Sequence, residues 1–334
     1  MNFYASPEYL ALVSEAYFKG RRTRVEDVRI GNDVLRLLVV DDRTVITDIA
    51  FLDYHEPLRD AEIGWPRRVH SYARWVTRDV IAQPDWSPGA FPGIEAAPYI
   101  TWSKFPTFDD YLTHIKTRQK GILKEHERRR RRLAEELGEL TFCVNDDRDD
   151  VFELARTWKR QQLLATGAND YLADAQNVRY LELARKQGIL VSSTLRAAGR
   201  LLSAWLGFIH DNVWSGWVFT YDQDPKLRKY CPGHQLLRSM LEESHRRNHR
   251  EFDFSIGGED YKWTYSTHAR LLGPIGRAPL RERVVSMAKQ RATSALAAKP
   301  AWLELARSIR ESLRDRPTSL PIKESTLPVQ GEEP

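Results

Sequence analysis

The chain has 334 residues, 42% hydrophobic and 29% charged, which excludes wholesale disorder and allows one large or two ordinary domains. Lysine and arginine number 51 against 46 aspartate and glutamate, and a net charge of +5 suits an anionic ligand without indicating nucleic-acid binding by itself. Cys143 and Cys231, the two cysteines, form no disulfide framework and no zinc-binding spacing. With no apolar run of about 18 residues, we expect a cytoplasmic protein without a membrane span or a metal.

The first hundred residues predict a helix, three strands and a second helix. Apolar residues fall on one helix face over residues 5–19, and strand-like runs follow at 24–30, 34–40 and 44–52. Gly, Asn and Asp separate these runs and tolerate the positive φ of tight turns, so we expect an antiparallel meander. Because proline is favoured at the first helical position, a further helix is expected over 66–82.

Five prolines among aromatic residues mark the segment 83–106. This density argues against a regular helix or a central strand, so the segment is predicted to be a linker between two halves. The expected division of the chain is a first subdomain with its linker, a main domain, a basic helical extension and a disordered tail, over residues 1–106, 107–280, 281–316 and 317–334.

The main domain is predicted to open with one long helix from Thr107, because Leu112, Ile115, His126 and Leu133 share one stripe. Two helices, three antiparallel strands, a loop, a helix and a strand follow, which gives an α+β fold with a mixed sheet flanked by helices. The elements on which the argument below depends are a strand at 213–221, a helix at 234–248, a strand at 250–256 and a short helix at 259–265.

Arg128 to Arg132 form the longest charge run of the chain. A nucleic-acid site would need these cations clear of acidic groups. Instead Glu125 and Glu136 stand four residues from Arg129 and Arg132, so helical ion pairs on a solvated face are expected. A site for tRNA remains the alternative.

A loop ending in Pro232-Gly233 joins the strand at 213–221 to the helix at 234–248. Glycine lets a ligand approach the backbone closely, and the first N–H groups of a helix have no partner within it. The junction therefore predicts an anion-binding turn, to which Arg228, Lys229 and His234 add positive charge. The bland alternative is a simple helix-entry turn.

This loop resembles the pyrophosphate-binding signature of the GNAT acyltransferase superfamily, Gln/Arg-x-x-Gly-x-Gly/Ala, with Arg228 first, Gly233 last and Cys231 in place of the first glycine. The flanking residues resemble its CelD-like (cellulose-biosynthesis) and FemAB-like branch, and the resemblance covers roughly residues 118–275. It implies two GNAT-like subdomains in tandem, the first one degenerate, and a donor such as acyl-CoA. The residues that it places at the donor are Arg228, Lys229, Tyr230, Cys231, Gly233 and His234.

Asp253 is the candidate general base. In the strand at 250–256 side chains alternate, so Phe252 and Phe254 face one layer while Asp253 and Ser255 face the other. A carboxylate there could take a proton from an amine, directly or through water. A structural aspartate is the alternative, and His55, in a polar cluster at a strand end, is a second candidate base.

Tyr261 is the candidate general acid, because in many GNAT enzymes a tyrosine of the following helix protonates the departing thiolate. Lys262 is a candidate for binding a carboxylate of the donor or acceptor, although both residues could simply be exposed on a turn. The residues expected near the substrates are Tyr221, Asp222, Ser255, Lys262 and Trp263.

The resemblance thus implies an N-acyltransferase that moves an acyl group from an acyl-CoA, or from an acyl carrier protein, to a small amine. The two strands at 213–221 and 250–256 are expected to splay apart and admit the thioester. The alternatives are a transferase that uses aminoacyl-tRNA and an inactive scaffold in polysaccharide biosynthesis. The oligomeric state does not follow from the sequence.

Overall fold

The computed structural model describes residues 2–30, 33–42, 44–46, 49–58, 65–66, 73–81 and 95–275. These residues lie within one compact unit, Met1–Pro279. The helical extension predicted at 281–316 and the tail predicted at 317–334 lie outside the described residues. None of the described helices is both long and apolar enough to span a membrane.

The described strands are numbered in chain order as β1 (Thr23–Ile30), β2 (Asp33–Val40), β3 (Thr44–Ile46), β4 (Trp65–Pro66), β5 (Ala73–Ile81), β6 (Glu95–Thr101), β7 (Leu140–Cys143), β8 (Val191–Ala197), β9 (Arg200–His210), β10 (Val213–Tyr221), β11 (Glu251–Asp253) and β12 (His268–Ile275). The α-helices are α1 (Pro7–Tyr17), α2 (Phe108–Arg118), α3 (Ile122–Leu137), α4 (Asp149–Thr166), α5 (Ala175–Lys186), α6 (Pro232–Arg246) and α7 (Asp260–Tyr265).

An eight-stranded mixed sheet in the order β5-β12-β6-β11-β10-β9-β8-β7 forms the centre of the fold. Its pairs are antiparallel except β10 with β11, which run parallel. A smaller sheet, β3-β2-β1-β4, contains the meander predicted for the N-terminal residues. The turn between β2 and β3 holds Asp41 and Asp42 at φ values of 49° and 60°, as expected for a tight turn. The mixed sheet flanked by helices is confirmed.

Two predictions for the N-terminal part are wrong. Residues 73–81, which fall within the helix expected over 66–82, instead form strand β5, and β-branched residues such as Val76, Thr77 and Val80 favour that state. The segment expected to be a linker contains β6, a strand between β12 and β11. Pro98 has no N–H to donate to a neighbouring strand. Its carbonyl accepts from Phe254 N at 3.1 Å and so points to the side of β6 where β11 ends, and at this position no strand partner on that side requires the missing N–H.

The boundary expected after residue 106 therefore does not separate two sheets. β5 and β6 come from the N-terminal part, yet they pair with β12 and β11 of the C-terminal part. The expected first subdomain shares the central sheet with the second.

Helices cover both faces of the large sheet. On one face, α1, α4 and α5 surround a core that includes Phe208 and Val218. On the other, α2 and α6 pack over Trp205, Trp214 and Phe252. The long helix predicted from Thr107 is broken into α2 and α3, because Gly121 adopts a left-handed φ of 86° at the junction. The sheet thus separates two layers of helices, and a ligand that passes between two of its strands would reach both layers.

Candidate active site

The expected divergence of two strands is present between β10 and β11. They pair at two positions only, Val213 with Glu251 and Trp214 with Phe252. β10 then continues to Tyr221, while β11 ends at Asp253. Within the described residues, no other strand pairs with this edge of β10. The result is a wedge-shaped gap between the two strands, called the wedge below. Along this gap the backbone of β10 can hydrogen-bond an extended ligand.

A β-bulge bends β10 at the point where it leaves β11. The register with β9 shifts between Gly216 and Val218, and such a bulge increases the local bend of a strand. A Cβ atom on Gly216 would lie 2.1 Å from Trp205 Nε1, and that nitrogen donates to Ser215 O at 3.3 Å. The buried indole therefore requires glycine at this position.

The turn before α6 lies beside the wedge. Cys231 caps the helix in the left-handed conformation, with φ of 51° and ψ of 61°, and its side chain forms no cap hydrogen bond. Pro232 has no N–H, and within the described residues the N–H groups of Gly233 and His234 have no acceptor. A Cβ on Gly233 would lie 3.1 Å from the ring of Phe219 on β10. Two N–H donors are thus available next to the wedge.

The charge expected at this turn is distributed differently. Lys229 Nζ lies 3.1 Å from Glu136 of α3, so its charge is offset. Burial, together with His126 and Arg129, lowers the pKa of His234 to about 4. The expectation that His234 adds positive charge is wrong, because its ring is neutral at neutral pH. Arg228 is exposed, and its carbonyl accepts from Cys231 N at 3.1 Å.

Arg129 of α3 contributes a cation that the sequence reading assigned to a solvated face. Its guanidinium donates to Cys231 Sγ as well as to Glu125, where Nε lies 2.7 Å from the carboxylate. Arg130 donates to Gln235 O at 3.3 Å. The spacing contained the signal, because both arginines fall between His126 and Leu133 on the stripe that faces the core.

Tyr261 lies across the mouth of the wedge. Its ring centroid is 5.2 Å from that of Phe219 on β10, 6.3 Å from Phe254 after β11 and 6.4 Å from His234 on α6. Burial, followed by the charge of Glu259, raises the pKa of Tyr261 well above its usual value. The phenol therefore stays protonated at neutral pH, as a proton donor must.

Asp253 is buried at the end of β11, with 3% of its surface exposed. It accepts from the Tyr54 hydroxyl and, at 2.8 Å, from Ser255 N. Burial raises the pKa of Asp253 to about 6, although Arg270 acts in the opposite direction. The predicted alternation is confirmed, because Phe252 and Phe254 pack in the core on the opposite face.

A small cavity adjoins this carboxylate. It measures about 30 Å³ and is lined by Asp253, Ser215, Tyr54 and Arg270 among others. That volume suffices for one or two waters and no more. Ser215 Oγ, which is buried, has no hydrogen-bond partner within the described residues. Asp253 can therefore reach a substrate through a water more readily than by direct contact.

The N-terminal part of the chain completes this polar cluster. Ser255 Oγ and Tyr4 Oη both donate to Asp53 Oδ2, the latter at 2.5 Å. His55, the second candidate base, is buried with 3% exposure. Tyr54, which precedes His55 in the chain, is the residue of this stretch that hydrogen-bonds Asp253. The predicted role of Ser255 near the substrate thus becomes a link between Asp253 and Asp53.

Of three other expected site residues, two have structural contacts and one is accessible. Asp222 forms an ion pair with Arg200 at 2.6 Å, which holds the loop after β10. Tyr230 is buried in a core cluster with Leu133. Tyr221, at the end of β10, is 37% exposed and so remains accessible.

Lys262 and Trp263 are both buried, so the alternative that Lys262 is simply exposed on a turn is wrong. The Lys262 ammonium donates to Ile256 O and lies 3.2 Å from Glu259. Trp263 Nε1 donates to Gly257 O at 3.3 Å. These contacts fix the segment between β11 and α7, which positions Tyr261 in α7.

Lys159 of α4 is a site residue that sequence reasoning missed. Its Nζ lies 3.4 Å from Phe219 O on β10. Burial lowers the pKa of Lys159, Glu259 acts in the opposite direction, and Lys262 lowers the pKa further. It places an amino group at the edge of the wedge on the face opposite α6. No sequence signal marked it, because it lies in an ordinary amphipathic helix.

No curated protein matches the chain. Among solved structures it is similar to FemX (8% identity, 82% of this chain and 96% of that one, TM-score 0.48) and to L-PGS from Bacillus licheniformis (9%, 87% and 98%, TM-score 0.40). A conserved protein of unknown function from Bacteroides thetaiotaomicron is similar as well (8%, 81% and 90%, TM-score 0.43). With TM-scores this low, these similarities carry no statement about function.

A family model described as an acetyltransferase (GNAT) domain matches residues 123–263. This range contains the turn before α6, the wedge and the tyrosine at its mouth. Within the described residues, no group of three or more His, Cys, Asp or Glu could hold a metal ion. Over residues 123–263 the chain thus matches the acetyltransferase (GNAT) domain in sequence.

Proposed function

We propose that the protein transfers an acyl group from an acyl-CoA thioester to an amine. One observation carries the proposal: β10 and β11 separate after two residue pairs, and the free N–H groups of Gly233 and His234 lie beside the gap. A pantetheine arm is extended and polar enough to hydrogen-bond the open edge of β10. A pyrophosphate suits the N-terminal turn of α6, where the Arg129 guanidinium contacts Cys231.

In this proposal the N–H groups of β10 polarise the thioester carbonyl. A water in the cavity next to Asp253 takes a proton from the ammonium group of the acceptor and passes it to the carboxylate. The neutral amine attacks the carbonyl carbon, the C–S bond breaks, and Tyr261 gives its proton to the departing thiolate. The products are an amide and free CoA, and the remaining proton of the amine leaves to solvent.

Calorimetric titration of acetyl-CoA and longer acyl-CoAs tests the donor site. Cys231→Glu places a negative charge at the turn, and we expect it to weaken CoA binding at least about tenfold. Asn248→Glu is the matched control, because Asn248 has the same left-handed conformation, with φ of 55°, just beyond the other end of α6. Equal weakening by both substitutions, or no donor binding by the wild type, would contradict the proposal.

The titration also separates the alternative donors. Arg131 and Arg132 stay exposed on α3, and a transferase that uses aminoacyl-tRNA would need such cations for the phosphate backbone. In that case tRNA binding would fall steeply with salt, and Arg131→Glu with Arg132→Glu would abolish it. If the donor is an acyl-CoA, the double substitution leaves donor binding unchanged. An acyl carrier protein in place of CoA would bind the wild type when free CoA does not.

A further inference from the structure

A second cavity lies away from Asp253, between α2, α3, α6 and the end of α7. Its volume is about 300 Å³. Three cationic side chains and one carboxylate line it, which leaves two positive charges in excess. These four are Lys116, Lys124, Arg238 and Glu127, and the cavity is also lined by His126 and Tyr265.

Arg238 is held in place while some of its donors are unused. Its guanidinium carbon lies 4.3 Å from the centre of the Phe108 ring, a cation–π contact that fixes the plane of the group. The carboxylate of Glu242 is 3.9 Å away, beyond hydrogen-bond distance. Nη1 is buried and has no hydrogen-bond partner within the described residues. A buried donor without an acceptor is costly unless a ligand supplies one.

The other polar residues of the lining are neutral and form hydrogen bonds. His126 Nδ1 and Tyr265 Oη are 2.8 Å apart, and burial lowers the pKa of His126, so its ring is uncharged at neutral pH. The Gln235 amide donates to His126 O and to Tyr230 O, both at 3.2 Å. The cavity thus combines fixed polar groups with two exposed lysines at its rim.

We propose that this cavity binds the phosphate group of a small molecule. A phosphate monoester carries close to two negative charges, which match the excess of the lining, and guanidinium binds its oxygens in a forked geometry. Lys116 and Lys124 add point charges that attract an anion from solution. The proposal does not depend on acyl transfer, because none of its lining residues has a role in the reaction described above.

Calorimetry with inorganic phosphate, at constant ionic strength and against chloride, tests the proposal. We expect Arg238→Gln to weaken phosphate binding about tenfold or more, and Lys124→Gln to weaken it severalfold. Glu127→Gln removes the opposing charge and is expected to tighten binding about twofold. The matched control is Arg246→Gln, on the same helix but 69% exposed and paired with Glu243, which leaves binding unchanged.

Unsaturable binding by the wild type, or equal affinity of wild type and Arg238→Gln, overturns the proposal. So does an unchanged affinity of both Lys124→Gln and Glu127→Gln. Because Lys124 and Glu127 are exposed, these variants keep the test valid if Arg238→Gln does not fold.

Comparison of CoA with 3′-dephospho-CoA identifies the source of the phosphate. If the 3′-phosphate of the donor fills the cavity, Arg238→Gln weakens CoA but leaves dephospho-CoA unchanged. If a separate phosphorylated ligand fills it, Arg238→Gln loses inorganic phosphate and binds both CoA forms as the wild type does. Failure of the donor site instead shows in Cys231→Glu, so the two proposals are tested separately.

Discussion

A carboxyl group with a pKa of about 6 changes its charge in the range where an acyltransferase would work, and Asp253 is such a group. As a base it must be ionised. Below pH 6 the ionised fraction falls tenfold per pH unit, so kcat/KM is expected to rise with pH up to about 6 and then level off. A limb from the amine itself would lie near its own pKa, around 10.

Asp253→Asn removes this limb. We expect kcat/KM to fall by roughly 100-fold or more above pH 7, while acetyl-CoA still binds. The pH–rate profile of both forms, with a small amine as acceptor, is the measurement. A limb near pH 6 that persists in Asp253→Asn would show that another group titrates there.

Tyr261→Phe separates proton donation from packing. Phenylalanine keeps the ring contacts with Phe219 and Phe254, so the wedge keeps its shape. Without the hydroxyl, kcat is expected to fall roughly 100-fold, with the affinity for acetyl-CoA unchanged. Stopped-flow or steady-state kinetics combined with calorimetry measures both quantities. A parallel loss of binding would assign the hydroxyl to the donor site and not to the leaving group.

The surroundings of the candidate site residues were predictable to different degrees. Strand alternation alone placed Asp253 opposite Phe252, and the structure confirms that arrangement. Its partner Tyr54 was not predictable as a contact, because 199 positions separate the two residues. The charge of His234 was mispredicted for a related reason: burial lowers its pKa most, and His126 and Arg129, which come from another helix, lower it further.

At the scale of the element, β10 has one edge on β9 and one open edge on the wedge. The bulge at Gly216 bends β10 where it leaves β11, and the bulge depends on the contact between Gly216 and Trp205. A methyl group there would overlap a buried indole that has no room to move. The bend of β10 is therefore set by a glycine and a tryptophan together.

Gly216→Ala is expected to lower the free energy of unfolding by about 1–3 kcal/mol, because it overpacks the core. Urea unfolding measures the change. A double-mutant cycle with Trp205→Phe is the control. Because the smaller ring makes room for the methyl group, the double variant should lose less stability than the two single variants lose in sum. Additive effects would mean that the glycine is needed for another reason.

Elements with a clear local period were predictable, and those decided by pairing were not. The two helices and three antiparallel strands expected in the main domain are present in that order as α4, α5 and β8 to β10. The prediction of a linker for the segment with Pro98 was wrong, because proline is normally excluded from inner strands. Proline is tolerated at this position because β11 ends next to it. The sequence of the segment itself does not indicate where another strand ends.

For the whole molecule, the consequence is that the two halves build one sheet and one site. Tyr4, Asp53 and Tyr54 come from the N-terminal part, while Ser255 and Asp253 come from the C-terminal part. The family match begins at residue 123 and so includes none of the former. A reading based on the matched range alone would omit the groups that hold the proposed base.

This arrangement predicts that the main domain expected from the sequence, residues 107–280, does not fold alone. Without β6, both β11 and β12 lose a neighbour, and exposed apolar edges favour aggregation. We expect no cooperative unfolding transition for this fragment by circular dichroism. Residues 1–279 are the control, because they hold the whole compact unit and are expected to unfold cooperatively.

Co-expression of residues 1–106 with residues 107–279 extends the test. If β6 supplies the missing inner strand, the two fragments are expected to copurify and to recover acetyl-CoA binding together. Because Tyr54 reaches Asp253 only when the halves are joined, the limb of the pH–rate profile near pH 6 is expected to return with the complex. A fragment 107–280 that unfolds cooperatively and shows this limb by itself would mean that neither β6 nor Tyr54 is needed for the site.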